Sequence, residues 1–218
     1  MNIITTLGEQ LDADLAGISS YKIERSRTKF GVPSKDISAK IEATYGLSDA
    51  LKESLKSIYT QVKEISFYWS LNDAANDDLL AKDTWLNGGY GDYLKDQDLS
   101  GSMNLVSFDE MMQDKSYFSY LKGNGVEYLP LDKHWALGAG LKKDKGKVED
   151  NVYLFNAEGA ALMDMKIGVL EYIKLAAQAR GFYYWQYAYL SKEGIYNKHL
   201  KEMLPKIFHN SALDLSNF

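Results

Sequence analysis

The sequence predicts an α+β fold, a twisted and mainly antiparallel central sheet with helices from the N- and C-terminal parts packed around it. Three observations predict it. Strand-like runs gather in the middle of the chain, and helical spacing gathers toward its two ends. Two of the runs, Val152 to Phe155 and Ala160 to Met165, are split by Asn156-Ala157-Glu158-Gly159, which is a hairpin pattern and not a crossover. The composition is ordinary for a globular protein, with 218 residues, 45% hydrophobic and 25% charged. A chain of this size buries roughly 70% of its unfolded surface and needs no covalent staple.

Taken in order, Ile4, Leu7, Leu11, Leu15 and Ile18 fall at helical spacing and predict an N-terminal helix. Arg25, Arg27 and Lys29 follow in a polar segment read as a linker, so residues 1–33 form a helical extension. Ser34 is a good N-cap, and Ile37, Ile41 and Tyr45 form a stripe that ends at Gly46. Ser48 caps a second helix carrying Leu51, Leu55, Ile58, Tyr59 and Val62. From Ile65 to Leu71 the period changes to two, with Ile65, Phe67 and Trp69 on one side, which predicts a strand with one buried face. Asn72 to Ser100 reads as a long loop-like insertion, partly ordered by Leu79, Leu80, Trp85 and Leu94.

Gly101 to Val106 predicts a strand, and Ser107 with Glu110 is a capping box that starts a short helix. Val126 to Leu131 is another strand. His134 to Leu141 is its expected partner, softened by Gly138-Ala139-Gly140. Lys142 to Lys147 reads as a solvated charged turn. After the hairpin, Ile167, Leu170, Ile173, Ala177 and Arg180 mark a helix closed by Gly181 at a left-handed C-cap. A last helix from Lys192 to Phe208 places Ile195, Leu200, Leu204 and Ile207 on one side, and the tail after Asn210 is expected to fray. The domain reading is therefore an extension over 1–33, an α+β domain over 34–190, and a terminal helix and tail over 191–218.

Composition narrows the function. The chain has no cysteine, which excludes disulfides, thiol nucleophiles and Cys-ligated zinc. The first residues lack the basic and apolar parts of a signal peptide, and no window reaches 18 apolar residues, so a cytoplasmic location without membrane contact is expected. A net charge of −5 speaks against a whole-protein affinity for nucleic acid.

The three histidines, His134, His199 and His209, lie far apart and make no HExxH, so no metal site is expected. Asn72 to Asp78 lacks the Gly and Glu that bend and close an EF-hand loop. Gly88-Gly89-Tyr90-Gly91 is not followed by the residues of a phosphate loop or a dinucleotide turn, and Gly-x-Ser-x-Gly is absent. No cofactor and no catalytic residue is assigned. Phe182 to Tyr189 is the most aromatic stretch. Its rings either fill the core or form a recognition surface, since Tyr and Trp are favoured at interface hot spots.

Five pieces in order carry a family likeness. They are Ile65 to Leu71 with Trp69, Gly101 to Val106, Leu129-Pro130-Leu131-Asp132-Lys133-His134, Val152 to Phe155, and Arg180-Gly181-Phe182-Tyr183-Tyr184-Trp185-Gln186. In their order and spacing, from roughly Ser34 to Leu190, the chain resembles the SUKH superfamily, the Smi/Knr-type domain, and its bacterial immunity-protein members. It departs from the family at Val62-Lys63-Glu64, where an Asn-Gly turn is common, and in the length of the insertion.

The resemblance implies an α+β fold without a catalytic centre. It also implies a protein partner, a toxin domain delivered between competing bacteria, which the chain would bind and neutralise. A scaffold or regulatory module with another partner is the alternative, and a carboxylate-dependent hydrolase is a further one. Within the matching pieces, Trp69, Asp132, His134, Arg180 and Trp185 are the polar or large residues. They are expected to lie near one another as partner-binding residues. The competing expectation is that Arg180 and Asp132 only cap and pair within the fold.

Overall fold

Among the described residues, seven strands follow one another across a sheet in chain order. They are β1 (Ile23–Phe30), β2 (Ile65–Leu71), β3 (Ser100–Leu105), β4 (Val126–Asp132), β5 (Leu137–Asp144), β6 (Lys147–Asn156) and β7 (Ala161–Asp164). Neighbours from β3 to β7 pair antiparallel. The helices are α1 (Ile37–Ala43), α2 (Asp49–Tyr59), α3 (Phe108–Gln113), α4 (Val169–Gln178), α5 (Trp185–Leu190) and α6 (Ile195–Ile207). This is the expected α+β class. The structure, a computed structural model, describes residues 10, 13–14, 23–72, 99–114, 116–121, 126–133, 137–156, 161–209 and 211–218, with backbone alone at 23–29, 120 and 161.

The chain divides into two compact units. Described residues of the first fall in Lys29–Ser66 and Met103–Lys174, and those of the second in Thr6–Thr28, Phe67–Ser102 and Leu175–Phe218.

In the first unit, α2 begins as its sequence dictates. The Ser48 hydroxyl accepts from the Leu51 N–H at 3.3 Å, and Leu51, Leu55, Ile58 and Tyr59 are buried along one stripe. The entry to α2 is tied to β6 by two backbone bonds, from Ser48 N–H to the Val148 carbonyl (2.9 Å) and from Val148 N–H to the Gly46 carbonyl (2.8 Å). Gly46 has a φ of 87°, and a Cβ there would stand 2.1 Å from the Gly146 oxygen, so only glycine serves.

The β4–β5 register shifts between Pro130 and Asp132, leaving Leu131 as the extra residue. Proline lacks the N–H a ladder needs, and a bulge is where an interior strand tolerates it. Gly138 and Gly140 make room for the Phe118 ring, which packs on Phe155 with centroids 4.1 Å apart. The soft stretch in the sequence is therefore a seat for an aromatic side chain. The expected charged turn shrinks to Lys145-Gly146, both at positive φ, as a two-residue hairpin loop requires.

In the second unit, Phe182, Trp185 and Ala188 are buried with Leu200, Met203, Leu204 and Ile207 of α6. Trp69 of β2 meets Phe208 edge-on at 5.2 Å. Two sequence expectations change, and one stretch without an assigned element gains one. Ile23–Phe30 is the strand β1, where a polar linker was expected; its charged alternation is that of an end strand, and charge discourages edge pairing. The aromatic run from Trp185 forms the helix α5. The tail packs: Phe218 is buried and meets Trp185 at 83°. The N-terminal helix lies outside the described residues except for Gln10, Ala13 and Asp14, which are helical. The expected insertion is outside them from 73 to 98, as is the hairpin turn at 157–160.

Candidate functional site

Three of the five sequence pieces converge in the second unit. The α4 helix ends in two successive left-handed residues, Arg180 (φ 52°) and Gly181 (φ 62°). Gly181 N–H reaches the Ala176 carbonyl at 2.8 Å, the long bond of a left-handed helix cap. The turn sends residues 181–183 alongside the start of β3, with Ser102 N–H on the Gly181 carbonyl (2.8 Å) and Tyr183 N–H on the Ser100 carbonyl (2.9 Å). It also turns the Arg180 carbonyl onto Trp69, whose indole N–H donates to it at 2.8 Å. Gly101 lies against both groups, and a Cβ there would meet Trp69 Nε1 at 2.4 Å and the Arg180 oxygen at 2.6 Å.

The Arg180 side chain folds back to close its own helix. Its Nη1 donates to the Ala177 carbonyl (2.6 Å), a good place for a cation at a helix C-terminus, and its Nε donates to Asp14 Oδ2 (2.6 Å). Asp14 Oδ1 accepts from the Ser211 hydroxyl (2.6 Å). Arg180 is buried, as are Trp69 and Trp185, so as folded none of the three offers side-chain surface to a partner. They hold the unit together.

Asp132 belongs to the first unit and is 1% exposed. The bulge at Pro130 turns it inward, where its carboxylate accepts from the Asn104 N–H (2.8 Å) and the Tyr172 hydroxyl (2.8 Å). Burial pushes its carboxyl up to about 6, and the two hydrogen bonds pull the other way. Like Arg180, it pairs within the fold. Beside it, Lys133 forms ion pairs with Glu110 (2.7 Å) and Asp114. Burial works against the Lys133 charge, but the two carboxylates raise its pKa on balance. The partner-binding role expected for Trp69, Asp132, Arg180 and Trp185 thus meets four buried structural residues. His134 lies outside the described residues.

The aromatic stretch divides. Phe182, Tyr184 and Trp185 are buried, whereas Tyr183, Tyr187 and Tyr189 are half-buried. Tyr196, the second residue of α6, joins them. Tyr187 and Tyr196 stack at 5.2 Å and 25°, Tyr184 lies 4.9 Å from Tyr196, and Tyr183 lies 3.9 Å from Tyr184. Tyr184 itself has a φ of 62°, a left-handed backbone that costs a non-glycine residue about 1–2 kcal/mol. Such strain is found where a structure fixes a side chain for use. The sequence singles out Phe182 to Tyr189 but not Tyr196. Its signal was its place one position after the start of α6, on the side facing α5.

Among the described residues, no group of three or more His, Asp or Glu could hold a metal ion, and no helix is long and apolar enough to cross a membrane. Neither a protein-family model nor a curated protein nor a solved structure matches the chain.

Proposed function

We propose that the chain is a non-catalytic protein-binding module of the SUKH kind, an immunity protein that occludes a toxin domain in the cytoplasm. The observation that carries this reading is the tyrosine group on α5 and α6. Stacked tyrosines offer a large, amphipathic contact area that loses little rotamer freedom on binding, and they are enriched at interface hot spots. Tyr187 and Tyr196 are half-buried and already stacked, so part of that ordering is complete before a partner arrives. A net charge of −5 favours encounter with a basic partner, such as a nuclease domain.

Co-expression with candidate toxin domains, first any that is encoded beside the chain's own gene, tests the proposal. Cells should survive, and the two proteins should co-purify. Tyr187→Ala with Tyr196→Ala should abolish rescue while the variant remains folded. Co-purification without rescue would move the reading to a scaffold. Rescue that is indifferent to both tyrosines would place the contact face elsewhere.

A further inference from the structure

Residues 211–218 have no helix or strand, yet they are seated in the second unit. Their exposure alternates, with Ser211, Leu213, Leu215 and Asn217 half-buried, Ala212, Asp214 and Ser216 exposed, and Phe218 buried. Three side chains attach the segment. The Ser211 hydroxyl donates to Asp14 (2.6 Å), the Asn217 amide donates to Gln178 Oε1 (3.1 Å), and the Phe218 ring meets Trp185 edge-on with centroids 6.4 Å apart.

The backbone of the segment is satisfied differently. Ser211 N–H bonds the Phe208 carbonyl, Phe218 N–H bonds the Leu215 carbonyl, and the Ser216 N–H and hydroxyl both bond Asp214 Oδ1. Among the described residues, then, the backbone bonds of the segment run to itself or to the end of the preceding helix. The bends of the segment are made by its own residues, so no backbone bond to the rest of the second unit beyond the end of α6 must break when it leaves. A strand locked into a sheet would leave a row of unpaired groups behind; a segment held only by side chains does not.

We propose that residues 211–218 are a displaceable ligand bound in cis. Their seat on Trp185 and Gln178 is a docking site for an extended protein segment anchored by one aromatic side chain. A partner supplying such a segment replaces Phe218 on Trp185 and releases the tail. This stands apart from the immunity reading, because it needs neither a toxin nor the tyrosine group.

The test uses the full chain and a fluorescently labelled synthetic peptide of residues 211–218. Phe218→Ala empties the aromatic part of the seat, on Trp185, and leaves the segment held by Ser211 and Asn217 alone. The peptide should bind this variant saturably, and about tenfold or more tighter than it binds the wild type, whose own tail must first be displaced. Asn217→Ala, which loses only the Gln178 bond, should fall between the two. The same peptide carrying Phe218→Ala should bind neither chain. A folded Phe218→Ala chain that takes up no peptide would overturn the proposal. A Phe218→Ala chain that loses its circular dichroism would overturn it as well, since Phe218 would then be an integral part of the core.

Discussion

The indole N–H of Trp69 donates to the carbonyl oxygen of Arg180 across 111 positions of sequence. Both residues are buried, so this oxygen has a partner that water cannot replace. Trp69→Phe keeps a ring but removes the donor, and it should cost about 1–3 kcal/mol of stability. Gly101→Ala drives a methyl into the same bond and should cost about 1–3 kcal/mol by overpacking. Urea denaturation measures both. A Trp69→Phe variant with the wild-type midpoint would mean that the bond contributes nothing.

Arg180 answers a different question. Its guanidinium holds Asp14 and closes α4, with 6% of the side chain exposed. Arg180→Ala strands the Asp14 carboxylate, and breaking a buried pair in this way costs about 3 kcal/mol. The thermal midpoint should fall, and affinity for a protein partner should stay unchanged wherever the variant is folded. A variant that is stable but cannot bind would restore Arg180 as a contact residue.

How far the residues alone foretold this is plainest at the caps. Ser48, Ser107 and Gly181 are legible because capping is local chemistry, a side-chain oxygen or a missing Cβ acting within four residues, whereas the cap expected at Ser34 is not formed: Asp36 stands at the N-cap of α1, without a side-chain cap bond. The burial of Asp132 was not legible. It depends on Tyr172, 40 positions away, and a charged residue is ordinarily outside. Strand β1 is not legible as a strand because its residues alternate charge with small polar groups and lack the apolar face that marks a half-buried strand. The packing of Phe218 is not legible because the alternation before it, Leu213 and Leu215 beside Asp214 and Ser216, is too short to mark a packed segment.

Asp132 and His199 make opposed contributions to the pH dependence of folding. Burial pushes Asp132 up from 3.8 to about 6, so the folded chain holds its proton more tightly than the unfolded one. Its stabilisation is whole below pH 3.8 and is lost as the pH rises through 6. Burial, aided by the Lys206 charge, pushes His199 down from 6.5 to about 4. Its contribution is whole above pH 6.5 and is lost as the pH falls through 4. At about 1.4 kcal/mol per pH unit, each amounts to a few kcal/mol, and the two act in opposite directions. The wild type should therefore vary less across this window than a variant that keeps only one of the two groups. Asp132→Asn should become steadily more stable as the pH rises through it, and His199→Gln steadily less. Denaturation midpoints that run parallel in all three proteins would sink the assignment.

Asp150 gives a cap supplied from another element. Its Oδ1 accepts the Val169 N–H at the start of α4 (2.7 Å), and its Oδ2 accepts the Ser54 hydroxyl of α2 (2.6 Å). One carboxylate on β6 thus fixes two helices, and its charge suits a helix N-terminus. Asp150→Ala should cost about 1–2 kcal/mol, a full cap plus a tertiary bond. Asp150→Asn keeps an acceptor for Val169 and should cost less. Equal losses in the two variants would show that the cap is immaterial.

The stacking of Tyr187 on Tyr196 can be weighed without knowing any partner. Their centroids lie 5.2 Å apart at 25°, which joins α5 to α6 through two half-buried rings. Aromatic pairs in such geometry are worth about 0.5–1.5 kcal/mol beyond the area they bury. In a double-mutant cycle with leucine at each position, the pair should return a coupling energy in that range, because leucine keeps the apolar area and loses only the ring contact. Each single variant should lower stability by about 1 kcal/mol or less, since both side chains are only partly covered. A coupling near zero would mean that the rings lie side by side without holding one another. The preorganisation on which a binding role for this face depends would then go with it.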